Sequence, residues 1–173
     1  MTIAMHRPDD TEYSPYFARY VERVPEGDIV AQLRENSATL GATIAVLDEV
    51  RGAHRPEPGK WSIRELLNHV SDSERAFAFR ALWFGRGFHD PLPSYDQEIA
   101  AAGAEADRIA WASHVEEFRR VRLATVSLFR NMPSEGWQRG GVASGNHVTV
   151  RAIAFIIAGH ATHHMKVLKE KYL

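Results

Sequence analysis

Three of the nine histidines of this 173-residue chain fall within five positions, in Ala158-Gly159-His160-Ala161-Thr162-His163-His164-Met165. His160 and His164 are four apart, so on an α-helix they share a face, about 6 Å apart along the axis. Ile153 and Ile157 upstream and Val167 or Leu168 downstream extend the same stripe. Both imidazoles therefore point where a bundle helix points its apolar face, into the core. Two rings side by side in a core make half of a metal site. With nine histidines such a pair also arises by chance, and a polar patch near a C-terminus is the competing interpretation. A third ligand on another helix would decide between them.

There is no cysteine, which excludes disulfides, thiolate ligands and a thiol nucleophile supplied by the protein. Any metal must be held by histidine and carboxylate. A net charge of −1 gives no electrostatic reason to expect nucleic acid or an anionic membrane as partner. No apolar run reaches the roughly 18 residues needed to span a bilayer. The opening residues lack the apolar core of a secretory signal, so a cytoplasmic location is expected.

The elements that must position these histidines are legible in order. Length and composition indicate one domain, residues 1–173, with residues 1–11 polar and expected to be loose. Ser14-Pro15 reads as an N-cap followed by proline at the first helical position, opening a short helix to about Tyr20 or Val21. Asp28 caps a first long helix over about 28–51, with Leu33, Leu40, Ile44 and Leu47 as its stripe. Gly52 through Gly59 is a linker. Ser62-Ile63-Arg64-Glu65 fits a capping box, with Trp61 placed to pack on Leu66, and a second long helix runs to Gly85 or Gly87. Its inward face should include Leu66, Val70, Ser73 and Phe77, and His69 falls beside them; alone, it reads as a buried core histidine. A long connection, 88–97, follows, of the kind that covers something or carries function. A third long helix is predicted over about 105–131, with Trp111, Val115, Phe118, Val121, Thr125 and Leu128 inward. Residues 137–149 fit a small β-hairpin or a loop, and Thr149 caps a fourth long helix from 150 to about 171. Four amphipathic helices in one domain predict an all-α four-helix bundle.

Several stretches together resemble one family. Pro58-Gly59-Lys60-Trp61-Ser62-Ile63-Arg64-Glu65-Leu66-Leu67-Asn68-His69, continuing through Glu74 and Phe79-Arg80-Ala81-Leu82, is similar to the second helix of DinB-family proteins. Gly159-His160 with His163-His164 resembles that family's fourth-helix motif, and Pro91-Leu92-Pro93-Ser94-Tyr95-Asp96 its link between helices two and three. The segment from Tyr13 to Asp28 is also similar, so the resemblance spans nearly the whole chain. It implies a four-helix bundle of the DinB type with a short N-terminal helix and long connections between helices two and three and three and four. It also implies a divalent metal, zinc or nickel, held by His69, His160 and His164, and a homodimer. The function implied is thiol S-transfer or hydrolysis on a small electrophilic substrate, with a low-molecular-weight thiol as possible cosubstrate. A metal-binding stress-response module without turnover is the alternative.

Three neutral imidazoles leave such an ion its full charge and an open position, where bound water is acidified and a thiol ionised. His163 diverges by about 100° from His164 and is expected beside the ligands or at the bundle edge. Glu74, five residues past His69, is off its face. Arg80 lies eleven residues on, some ~16 Å away, and should be buried only with a carboxylate, Asp96 or Glu74. Tyr95 and Asp96 are the candidates for a mobile catalytic group near the metal. His6, His54, His89, His114 and His147 carry no supporting pattern and are expected at the surface.

Overall fold

The computed structural model describes residues 6–173. Four long helices form the bundle: α2 (Ile29–Ala45), α4 (Ile63–Gly85), α6 (Trp111–Arg130) and α7 (Val150–Lys171). Three shorter helices, α1 (Ala18–Val21), α3 (Glu49–Gly52) and α5 (Gln97–Ala104), several 3-10 turns and one hairpin, β1 (Gly140–Ala143) with β2 (Asn146–Thr149), flank and connect them. Both α2 and α4 pack against α6 and α7, so the first two long helices, α2 and α4, lie across a diagonal of the bundle. Among the described residues no helix is long and apolar enough to cross a membrane.

The predicted caps form. Asp28 accepts from the backbone N–H groups of Val30 and Ala31, and Thr149 from Ala152. At Ser62 the hydroxyl accepts from the Glu65 N–H at 3.1 Å while the Glu65 carboxylate accepts from the Ser62 N–H at 2.8 Å. These bonds satisfy orphan donors of the first helical turn, so α4 begins at a defined residue. Just past its end, Gly87 takes a φ of +90° that lets the N–H of Phe88 reach back to the Trp83 carbonyl, a closure that glycine makes without steric cost.

Four expectations change, and one open alternative is decided. The first long helix stops at Ala45 rather than 51, because Asp48 accepts from the Arg51 N–H and starts α3; Val46 and Val50, 82 % and 80 % exposed, have nothing to bury against. The connection after α4 holds α5, started by Asp96. The third long helix begins at Trp111, since Glu105 takes a left-handed φ of +47° and a 3-10 turn occupies Ala106–Arg108. Residues 137–149 form the hairpin, closed by Ser144 and Gly145 at φ +55° and +77°, the two positive values that match strand twist. The N-terminal segment is anchored from Arg7, which donates to the Val24 carbonyl at 2.8 Å; residues 1–5 lie outside the described residues.

From Val150 to Ala161 almost every α7 side chain is buried, as expected of a helix surrounded by others. The core has two apolar clusters. On α7 one ends at Ala158 and the other begins at Ala161. His160 stands between them.

Candidate metal centre

α4 and α7 deliver the three histidines to one point. The Nε2 atoms of His69 and His160 are 3.2 Å apart, those of His160 and His164 3.1 Å. Ligand atoms of all three lie within 4.8 Å of one another. His69 and His160 are buried and His164 half-buried. The i, i+4 spacing on α7 supplies one pair, and the packing of α4 on α7 supplies the third ring.

Aromatic side chains hold the rings in place. Trp61 lies 4.9 Å from the His69 ring, and Tyr20 5.2 Å from His160 at an edge-on angle of 79°. The Ser73 hydroxyl, one turn along α4, is 3.4 Å from His69 Nδ1. A proton on that Nδ1 leaves the Nε2 lone pair facing the other two rings.

Burial disfavours the charged form of every ring. It pulls His69 down to about 4, against the opposing charge of Asp72. His164 falls to about 3 through burial and the neighbouring His69 and His163. His160 is held well below its ordinary value by burial, with His164 and His69 adding to it. The rings are thus neutral, the state in which imidazole ligates. Three neutral Nε2 atoms cannot satisfy one another: His160 Nε2 faces two others, and one proton cannot serve both. A cation satisfies all three lone pairs. With metal–nitrogen bonds of 2.0–2.1 Å, tetrahedral ligands sit roughly 3.3 Å apart, close to the His69–His160 and His160–His164 spacings. The donor set fits a divalent ion.

Two cavities meet this centre. One, of about 500 Å³, is lined by His69, His160 and Ser73, by Tyr20 and Phe77, and by Arg80, Tyr95, Asp96, Ser144 and Asn146. The other, of about 940 Å³, opens on His163 and His164 from the side of Trp61 and Lys171. Gln97 and Glu98 of α5 border both.

The remaining candidates divide. Tyr95 and Asp96 reach the first cavity, though the Asp96 Oδ1 is engaged as the α5 cap, accepting from Glu98 and Ile99. His163 packs edge-on against Tyr20 at 5.6 Å, outside the triad. Arg80 and Glu74 do not pair as expected. Glu74 is buried against Arg122, which donates Nε and Nη2 to its carboxylate at 2.7–3.0 Å, while Arg80 donates to two neutral acceptors, Pro93 O and Ser144 Oγ. His114, expected at the surface, is 1 % exposed, its Nε2 2.9 Å from the Ala106 carbonyl. His6, His54, His89 and His147 are exposed.

Sequence reasoning passed over Arg122 and Tyr20. The buried side of α6 runs Trp111, His114, Phe118, Arg122, Thr125, Phe129, whereas the predicted stripe has Val115, Val121 and Leu128, each one residue away from a buried position and only half-buried. Tyr20 carried no local signal.

A family profile described as the DinB superfamily matches residues 32–168. No curated protein matches the sequence. Among solved structures, YfiT from Bacillus subtilis, described as a probable metal-dependent hydrolase with an unusual four-helix bundle topology, superposes with a TM-score of 0.74 at 15 % identity, over 97 % of this chain and 92 % of that one. A mycothiol-dependent maleylpyruvate isomerase superposes with a TM-score of 0.67 at 13 % identity, over 79 % of this chain. This chain spans only 58 % of the isomerase. At such identities these likenesses establish the fold.

Proposed function

This chain belongs to the DinB superfamily, and from that premise we propose that it is an enzyme that binds one divalent cation, zinc or nickel, through His69, His160 and His164. Its substrate is a small electrophile, attacked by water or by a low-molecular-weight thiol. The observation that carries this reading is the convergence of three neutral Nε2 atoms at a point that one cavity reaches through His69 and His160 and a second through His164. A purely sequestering module needs the histidines but no such cavity. The hydrolase description of YfiT and the thiol dependence of the isomerase support the two reaction classes.

When bound, the cation supplies Lewis acidity, lowering the pKa of water or thiol towards neutrality. The protein supplies the rest. Ser73 orients His69, and Tyr20 and Phe77 present an apolar wall that keeps bulk water off the rings. The Tyr95 hydroxyl, whose pKa burial and Asp72 push further above its ordinary value, is protonated at neutral pH like any phenol and can donate a hydrogen bond to a substrate oxygen. Asp96, tied to the start of α5, holds Tyr95 at the cavity rim.

Elemental analysis of natively purified protein tests the centre: one equivalent of metal per chain in the wild type, lost in His160→Ala. Loaded protein is then assayed for hydrolysis and for conjugation with several thiols across a panel of small electrophiles. Metal bound without turnover on any of them would reduce the protein to a metal-binding module.

A further inference from the structure

Arg80 is 9 % exposed, yet among the described residues it has no carboxylate partner. Its recorded acceptors are the Pro93 carbonyl at 3.2 Å and the Ser144 hydroxyl at 2.9 Å, both from Nη2. Burial alone lowers its pKa, with no neighbouring charge offsetting it. A buried guanidinium with only neutral partners keeps an uncompensated charge, an unfavourable arrangement unless something else supplies the anion. The other two buried arginines, Arg64 and Arg122, meet Glu49 and Glu74, so this fold provides carboxylates where the charge is purely structural.

The position of Arg80 explains the difference. It lines the cavity that has His69 and His160 at its floor. Its guanidinium carbon is 5.7 Å from the Phe77 ring, which is 6.3 Å from the His160 ring. The guanidinium and the His160 ring are therefore no more than 12 Å apart, a gap that a small extended molecule spans. The two carboxylates on the same cavity are engaged elsewhere: Asp96 caps α5, and Glu98 accepts from Gln97 at 3.2 Å.

We propose that Arg80 is the substrate-anchoring residue of this cavity and that it binds an oxyanion, so the molecule turned over is a small carboxylate or phosphate ester. Its charged end sits against the guanidinium and its electrophilic centre over the histidines. This rests on the metal-centre reading above and extends it to substrate class. Guanidinium binds either oxyanion through paired N–H donors.

The test is calorimetric titration of zinc-loaded protein with benzoate, phenyl phosphate and the neutral benzamide. Binding of an anion about tenfold or more tighter than benzamide is expected, and the preferred anion identifies the source of the charge. Arg80→Gln should abolish that preference while zinc content stays at the wild-type level. Equal affinity for benzoate, phenyl phosphate and benzamide in the wild type overturns the proposal without any variant. So does an R80Q protein that keeps the preference. Anion binding that survives R80Q but vanishes in His160→Ala assigns recognition to the metal and overturns the role of Arg80 while leaving the metal centre intact. Arg80-dependent anion binding in a protein that takes up no zinc overturns the metal centre instead.

Discussion

Glu74 and Arg122 face each other across the α4–α6 contact, 2 % and 1 % exposed, with the guanidinium bound to both carboxylate oxygens. Arg122 also donates to the Leu33 carbonyl and to Asn36 Oδ1, and Asn36 donates to Thr162 on α7. One network thus reaches all four long helices, starting five residues from His69 and ending two from His160. Removing one partner leaves the other charged and unpaired in the core, so Arg122→Met should destabilise by about 3–5 kcal/mol. Replacing both, as Glu74→Leu with Arg122→Met, should recover much of that loss. Chemical denaturation of the three variants checks this; a double variant no better than the singles would mean that the network, not the charge, sets the cost.

Gly159 precedes the first α7 ligand, and a Cβ built there would lie 2.0 Å from the Tyr20 carbonyl oxygen. That contact is with backbone and cannot be relieved by a side-chain rotation. Gly159→Ala should cost about 1–3 kcal/mol or more and push Tyr20 off His160, so metal affinity should fall with stability. Thermal unfolding and metal competition, measured together, give the answer; an Ala variant matching wild type in both would refute the close packing.

The metal-free protein should be acid-sensitive in a range where few carboxylates titrate. His69 and His164 have folded values of about 4 and about 3, and His160 lies well below its ordinary 6.5. Folded, each binds fewer protons than unfolded, so their contribution is complete above pH 6.5 and drains away as pH falls through those values. Between pH 6.5 and 5 each histidine should cost about 1.4 kcal/mol per pH unit. Denaturant midpoints across that interval provide the slope, which His164→Gln should reduce by one histidine's share; a flat profile would contradict buried neutral rings.

Glu12 ties the N-terminal segment to α7 through Arg151 and the Thr149 hydroxyl. Burial alone would raise its carboxyl, but the bonds from Arg151 and Thr149 outweigh that and hold it below the ordinary 4.5. Its contribution is therefore present above pH 4.5 and lost as pH falls through the depressed value. Glu12→Gln should cost about 1.5–3 kcal/mol at neutral pH and nothing in strong acid. Unfolding midpoints at the two pH values separate the cases, and an equal loss at both would assign Glu12 to packing alone.

What the chain order determined by itself was everything that depends on neighbours within a few residues. The capping box at Ser62, the caps at Asp28 and Thr149, and the shared face of His160 and His164 follow from hydrogen-bond reach and the helical repeat, both local quantities. The resemblance in motif spacing added His69, on α4, as the expected third ligand. Tertiary packing alone decided which charges meet: Glu74 found Arg122, 48 positions away, rather than Arg80 six residues on in its own helix. It decided that His114 would be buried, because a 3-10 turn brings the Ala106 carbonyl to its Nε2. It also decided that Arg80 would face a cavity rather than a carboxylate. Partner choice among buried polar groups depends on how the helices cross, and a linear pattern of apolar residues specifies which face turns inward without specifying what waits there.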